Sequence, residues 1–245
     1  MEELVNTLRA TEKCGPEEFK EGRIILVDKP LGWSSFDVVN KMRNLLRSEL
    51  GLAKLKVGHA GTLDPLASGL LIICTGRATK KIEQLMGADK EYVAKVTFGA
   101  STPSYDLETE PDKHFDTSGI DQDAIITALN GFEGEQMQAP PMFSAIKKDG
   151  KRLYEHARKG VSLEVEKRLV EFKELELMNF SDLTATIRVV CSKGTYIRSF
   201  AHDLGVAMNS GAHLSGLIRT AIGNLRIENA ISIEDFHKLI TASKN

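Results

Sequence analysis

The sequence predicts an α+β fold, a mixed and mostly antiparallel sheet flanked by helices and loops. Three observations carry that expectation. Apolar residues alternate cleanly over Glu91–Phe98, where Tyr92, Ala94, Val96 and Phe98 oppose Val93, Lys95 and Thr97. The two longest strand patterns, 165–179 and 183–192, follow each other directly in the chain. Helical periods are interspersed among strands that are mostly adjacent in sequence, which points to an antiparallel or mixed sheet.

Taken in order, residues 1–22 form a polar leader with helical tendency, and 23–245 a single domain. Ile24–Val27 reads as a buried strand stopped by the turn cluster Asp28-Lys29-Pro30-Leu31-Gly32. Ser34 and Asp37 have the spacing of a capping box. Phe36, Val38, Val39, Met42, Leu45 and Leu46 then make one face of a helix to about Arg47, with Lys41, Arg43 and Arg47 opposite. Gly58–Gly69 has neither period and reads as a structured loop before the strand Leu70–Cys74. A short helix around Lys80–Met86 precedes the alternating strand.

The acidic stretch 101–120 reads as an exposed loop, and Asp121 caps a helix to about Leu129. After Ala139-Pro140-Pro141, a strand is expected over Met142–Lys147, then a basic helix Lys151–Lys159 ended by Gly160. The paired strands 165–179 and 183–192 come next. A helix over Thr195–Met208, two short strands within 213–227 around Gly223, and a helix over Ile233–Ala242 complete the chain.

A chain of 245 residues, 42% hydrophobic and 27% charged, has the composition of a soluble globular protein. No apolar run approaches the roughly 18 residues that span a bilayer, and the N-terminus lacks the pattern of an export signal. Three scattered cysteines, Cys14, Cys74 and Cys191, form no C-x-x-C pair, which argues for reduced thiols in a cytoplasmic protein. The net charge of −2 counts mildly against nucleic-acid binding, yet the charge is segregated. Between 140 and 170, eight Lys/Arg face four acids, whereas seven acids between 106 and 123 face only Lys113. That pattern permits an RNA partner, and equally a pair of solvated faces.

Chemistry concentrates in Gly58-His59-Ala60-Gly61-Thr62-Leu63-Asp64-Pro65-Leu66-Ala67-Ser68-Gly69. Glycines allow positive φ or close backbone approach, and Pro65 drives Asp64 out of the α region. The combination can present one carboxylate rigidly into a cleft. It can equally be an Asx-type turn ahead of a proline.

Gly58–Gly69 resembles the signature G-H-x-G-x-L-D-P-x-A-x-G of the TruB family of pseudouridine synthases, with each fixed position matched. Further islands resemble the family in its order: Asp28-Lys29-Pro30 with Gly32 and Ser34-Ser35; Asp89-Lys90-Glu91-Tyr92 followed by Gly99; Pro140-Pro141 through Gly160; Cys191 through Ser199; and Gly211-Ala212-His213-Leu214.

The resemblance implies the pseudouridine synthase fold with a central catalytic cleft, and an isomerisation that breaks uridine's glycosidic bond and rejoins the base through C5. It implies tRNA as substrate, at uridine 55 of the T-loop, with the base flipped out of its stack. No cofactor and no metal are implied. By the same resemblance Asp64 is the catalytic carboxylate, Arg198 holds it ionised and oriented, and Tyr92 stacks on the target base. Tyr196 and Leu217 wall the pocket, and His59 contacts the RNA beside the target. Lys29, Lys147 and Arg152 are assigned to substrate binding, with shape-based recognition of the T-stem and loop through Lys147–Lys159 and the Lys41/Arg43/Arg47 face.

The chain departs from the pattern in three places. The sequence stops at Asn245 without the PUA-type domain of many members, so the expectation is either that tRNA binding rests wholly on the catalytic domain or that the chain is shortened; Ile218 stands where an arginine is common; and His202 replaces a frequent arginine. A guide-RNA-directed relative is disfavoured because it relies on that domain and on protein partners, so a monomer without guide RNA is expected. A catalytically dead RNA-binding module is disfavoured by the intact Asp64, Tyr92 and Arg198 set. A glycoside hydrolase lacks a second identifiable acid.

Overall fold

The computed structural model describes residues 7–8, 14–144, 146–148, 150–158, 160–161, 163 and 165–242, apart from the side chains of residues 7, 8, 147 and 148. The leader expected over 1–22 therefore lies largely outside the described residues. The chain divides into two compact units, Met1–Lys90 with Ile218–Asn245, and Glu91–Leu217.

The first unit opens with β1 (Thr7–Leu8), α1 (Pro16–Glu21), β2 (Ile24–Lys29), α2 (Ser35–Leu50), β3 (Val57–Ala60) and β4 (Ala67–Thr75). A 3₁₀ turn (Gly76–Lys81) then runs into α3 (Ile82–Met86). The capping box is present: Asp37 N donates to Ser34 Oγ at 3.1 Å, and Ser34 N donates back to Asp37 Oδ2 at 2.9 Å. β2 and β4 pair antiparallel from Ile24↔Cys74 to Lys29↔Gly69, and β3 pairs with the end of β4.

Both faces of this pair are covered, which is why the strands read as unbroken apolar runs. Ile25, Val27, Leu71 and Ile73 pack with Val38, Val39, Met42, Leu46, Phe236 and Ile240. Ile24, Leu26, Leu70, Ile72 and Cys74 pack on the other side with Ala78 and Leu85. Each such fully buried side chain contributes about 1.5–3 kcal/mol.

The second unit contains β5 (Lys90–Phe98) from Glu91 onward, β6 (Ala100–Ser101), β7 (Lys113–His114), α4 (Gln122–Asn130), β8 (Gly134–Gln138), β9 (Lys147–Lys148), β10 (Lys151–Arg152), α5 (Leu153–Ala157), β11 (Arg168–Ser181), β12 (Thr184–Cys191) and α6 (Ile197–Ala207). β13 (Ala212–Ile222) begins here and ends in the first unit, which closes with β14 (Leu225–Arg226) and α7 (Ile233–Ala242). Within the second unit β5, β12, β11 and β8 are successive neighbours. Ala94, Val96 and Phe98 of β5 and Ala185, Ile187, Val189 and Cys191 of β12 are buried, as their alternation predicts. Phe200 of α6 packs against Phe172 and Phe132, at centroid distances of 5.1 and 5.6 Å.

Three local expectations are corrected. The loop before β4 is shorter than Gly58–Gly69, because β3 takes Gly58 to Ala60 and β4 starts at Ala67. No strand forms over Met142–Ile146 among the described residues; Pro140 and Pro141 cannot donate to a ladder, and Lys147–Lys148 instead pairs with Lys151–Arg152 in a tight hairpin. That hairpin shortens the basic helix to Leu153–Ala157. The polar segment GEQMQ, which carries no strand period, is β8, held by pairing Gly134–Gln138 with Phe172–Arg168.

Candidate active site

Asp64 occupies a short connection between β3 and β4, half-buried, and four devices fix that connection. Ser35, at the first turn of α2, is buried and bonds Leu63 twice: Leu63 N donates to its Oγ at 2.8 Å, and the Oγ donates to Leu63 O at 3.1 Å. Gly32 N donates to Pro65 O at 2.8 Å, tying the turn after β2 to the residue following Asp64. Ala67 N donates to Asp64 O at 3.1 Å, so residues 64–67 form a turn.

Arg219 is the fourth device, and its guanidinium is buried. Nε donates to Leu70 O at 2.8 Å, Nη2 to Gly61 O at 3.0 Å, and Nη1 to Thr62 O at 3.5 Å. A planar fork of fixed donors suits three carbonyls arranged around one loop. Gly61 and Gly69, at φ 89° and 102°, bound the segment that the fork holds. A Cβ on Gly69 would lie 2.4 Å from Arg219 O, so β4 reaches β13 only because this position has no side chain.

Lys29, the last residue of β2, is fully buried. Its ammonium donates to Trp33 O at 2.5 Å and to Pro30 O at 3.0 Å. Burial pushes its pKa down to about 8; the Asp64 carboxylate opposes that shift, and Arg219 adds to it. Asp64 thus sits in the positive field of Lys29. His59, on β3, is held below the ordinary histidine range by burial first and by Arg219 second. Its Nδ1 is buried with no hydrogen-bond partner among the described residues.

In the second unit Arg198 lies in the first turn of α6 and is 4% exposed. A helix N-terminus disfavours a buried cation, so this guanidinium needs compensation. Its Nε is 3.6 Å from Asp106 Oδ2, and its Nη1 donates to Phe143 O at 2.9 Å and to Ser104 O at 3.5 Å. Asp106 is 4% exposed, and its Oδ1 accepts Glu108 N at 2.9 Å. Tyr196, which starts α6, is clamped by Gln138: Tyr196 N donates to Oε1 at 2.8 Å, and Nε2 donates to Tyr196 O at 3.1 Å. The Arg168 guanidinium stands 5.0 Å over the Tyr196 ring.

Tyr92 is buried on β5 and Leu217 half-buried on β13. Arg152 is exposed on the β9–β10 hairpin, 5.9 Å from the Tyr154 ring, with Arg158 on the same ring at 5.4 Å. The Lys147 side chain lies outside the described residues.

The structure thus gathers Lys29, His59 and Asp64 around Arg219 in one unit, and places Arg198, Tyr196, Tyr92, Leu217 and Arg152 in the other. Sequence reasoning missed Arg219, whose signal is a lone arginine inside the apolar strand pattern Leu217–Ile222. It also missed Asp106, read with its acidic neighbours as solvated. Its signal was the preceding Ser101-Thr102-Pro103-Ser104: Thr102 Oγ1 and Ser104 Oγ both donate to Asp106 O, at 2.7 and 3.1 Å, and satisfy a buried turn.

The sequence model described as TruB family pseudouridylate synthase (N terminal domain) matches residues 47–197. The chain is 56% identical over 224 residues to a Flavobacterium johnsoniae protein named tRNA pseudouridine synthase B, covering 91% of this chain and 98% of that one. A Phocaeicola vulgatus protein of the same name is 53% identical over 218 residues, covering 89% and 93%. Among solved structures, a Cbf5-Nop10-Gar1 complex contains a chain that superposes with a TM-score of 0.67 at 29% identity, over 96% of this chain and 61% of that one. The archaeal box H/ACA sRNP Nop10-Cbf5 complex gives the same TM-score at 27% identity, over 93% and 56%. With the loop carrying Asp64 spliced by Ser35 and Arg219, and with relatives this similar over nearly their whole length, the chain belongs to the TruB family of pseudouridylate synthases.

Proposed function

We propose that the protein isomerises uridine to pseudouridine at position 55 in the T-loop of tRNA, working in the cytoplasm as a monomer without guide RNA. The observation that carries this reading is the immobilised Asp64 turn in the field of Lys29. The relatives named tRNA pseudouridine synthase B support the choice of substrate.

The reaction breaks the bond between C1′ and N1, turns the uracil, and joins C1′ to C5. The C5 proton leaves to solvent and N1 gains one, so neither oxidant nor reductant is consumed. Cleavage puts positive character on the sugar, and Asp64 supplies the anion that stabilises it or adds to it. A carboxylate on a mobile loop would have to be ordered at each turnover; the fork of Arg219 and the Ser35 staple remove that cost in advance. Arg198 orients Asp64, Tyr92 stacks on the flipped base, Tyr196 and Leu217 flank it, and His59 lies against the RNA beside it. Arg152 and Lys147 face the T-stem phosphates, where a basic, sequence-blind surface suffices.

Tritium release from an unmodified tRNA transcript carrying [5-³H]uridine, with no metal or cofactor added, tests the reading. One equivalent released per tRNA, abolished when uridine 55 is replaced by cytidine, is the expected result. Release that survives the replacement contradicts the assigned position, and no release contradicts the activity.

A further inference from the structure

The turn that carries Asp64 has an exposed apolar rim. Leu31, Phe36 and Leu66 are 66%, 62% and 39% exposed, and Pro30 and Pro65 stand exposed beside them. The fold brings these residues together from two stretches of the chain. Gly32 N donates to Pro65 O at 2.8 Å, which sets the turn of Pro30 and Leu31 against Pro65 and Leu66. Ser35, bonded twice through its Oγ to Leu63, anchors the start of α2 to the same loop, and Phe36 follows it. Single apolar side chains in water need no explanation, but a cluster of them around one turn marks a contact surface.

The rim is bare of exposed cations. Between residues 28 and 40 the one Lys or Arg is Lys29, which is buried, and between 58 and 70 there is none. Asp28 and Asp37 stand exposed at its margin. Exposed cations gather at the other end of β3 instead. Lys54 and Lys56 precede that strand, and Gly76 N, donating to Lys56 O at 2.9 Å, brings the 3₁₀ turn with Arg77, Lys80 and Lys81 beside them. Phosphates are drawn to that end, whereas the rim suits the face of a base.

A base that reaches the rim must be unstacked and close to Asp64. In folded tRNA the T-loop and D-loop interlock, and uridine 55 pairs with a guanosine of the D-loop. Flipping the uridine leaves that guanine without its partner, beside the turn that takes the uridine. From these features we infer that the rim of Leu31, Phe36 and Leu66 receives the D-loop purine that uridine 55 gives up. The inference rests on the proposed modification of tRNA. Stacking on Phe36 and against the neighbouring proline and leucine surfaces offsets part of the cost of flipping. It also makes whole tRNA, rather than the isolated T-arm, the substrate that the rim rewards.

The test compares rim variants on three unmodified RNAs: whole tRNA, the T-arm hairpin, and whole tRNA made abasic at the D-loop guanosine. Phe36→Ala removes an exposed ring, Leu31→Ala serves as a second variant, and thermal midpoints equal to the parent's check folding. On whole tRNA the parent-to-variant ratio of kcat/KM should be about ten for Phe36→Ala, the loss of one stacked base. Leu31→Ala should show a smaller ratio in the same pattern. Both ratios should fall near one on the hairpin and on the abasic tRNA, which offer no base to stack.

An equal loss on hairpin and whole tRNA overturns the inference and makes the rim a T-loop contact. A tenfold ratio that persists on abasic tRNA overturns it too. So do ratios near one on all three RNAs; a parent dimer in sedimentation that Phe36→Ala dissolves would then assign the rim to a second copy of the chain. Failure of the parent protein on every RNA refutes the activity on which the inference rests.

Discussion

Arg198 and Asp106 form a buried ion pair, Nε 3.6 Å from Oδ2, in which both side chains are almost wholly removed from water. Removing one partner of such a pair leaves an uncompensated charge, which typically costs 3–5 kcal/mol. Asp106→Asn keeps the shape and the acceptor for Glu108 N. It should lower the thermal midpoint by several degrees. It should also reduce kcat by about ten- to a hundredfold with a smaller change in KM, because Arg198 loses its orientation rather than its reach to substrate. Steady-state kinetics beside a thermal melt check both; an unchanged kcat would show that the pair does not act on the reaction.

Lys29 gives a pH signature with a defined sign. Its folded pKa, about 8, lies below the ordinary 10.5 because of burial. Between those values the unfolded chain binds more protons than the folded one, so this residue's contribution to stability rises with pH through that window. The full rise is at most about 3 kcal/mol. Denaturation of the parent protein and Lys29→Met from pH 7 to 10.5 should give a difference curve that climbs above pH 8. Asp64 also loses a neighbouring positive charge as Lys29 deprotonates, so turnover should fall on the alkaline side near pH 8 in the parent protein alone.

Gly69→Ala tests the close approach of β4 to β13. The added methyl would meet Arg219 O at 2.4 Å and Arg219 N at 2.8 Å, at a φ of 102°. Backbone on both sides leaves no flexible group to yield. The expected cost is about 3 kcal/mol, read as a fall of roughly 6–12 °C in Tm, and activity should fall with it because the same residue forks the Asp64 loop. A variant as stable as the parent would mean that β13 is held elsewhere.

These sites differ in how far the sequence betrays them. α2 and α7 are legible because a local rule sets each: the Ser34–Asp37 box and a 3.6-residue apolar period. Asp64 is legible through the density of its motif. Asp106 is not, since its burial depends on Arg198, 92 positions away, and its neighbours are solvated acids. β8 is equally hidden: GEQMQ has no apolar alternation, and its strand exists because β11 offers an edge. Lys29 shows the same limit in reverse, for a lysine beside Pro30 reads as exposed until the chain folds Trp33 O and Pro30 O over its ammonium.

The central claim, that Asp64 is the reacting carboxylate, is tested most directly by Asp64→Asn on an unmodified tRNA transcript. Binding is measured by filter retention and pseudouridine by carbodiimide-directed primer extension. The variant should bind tRNA within a few-fold of the parent protein and leave position 55 as uridine. Pseudouridine at position 55 formed by the variant at a rate near the parent's would contradict it.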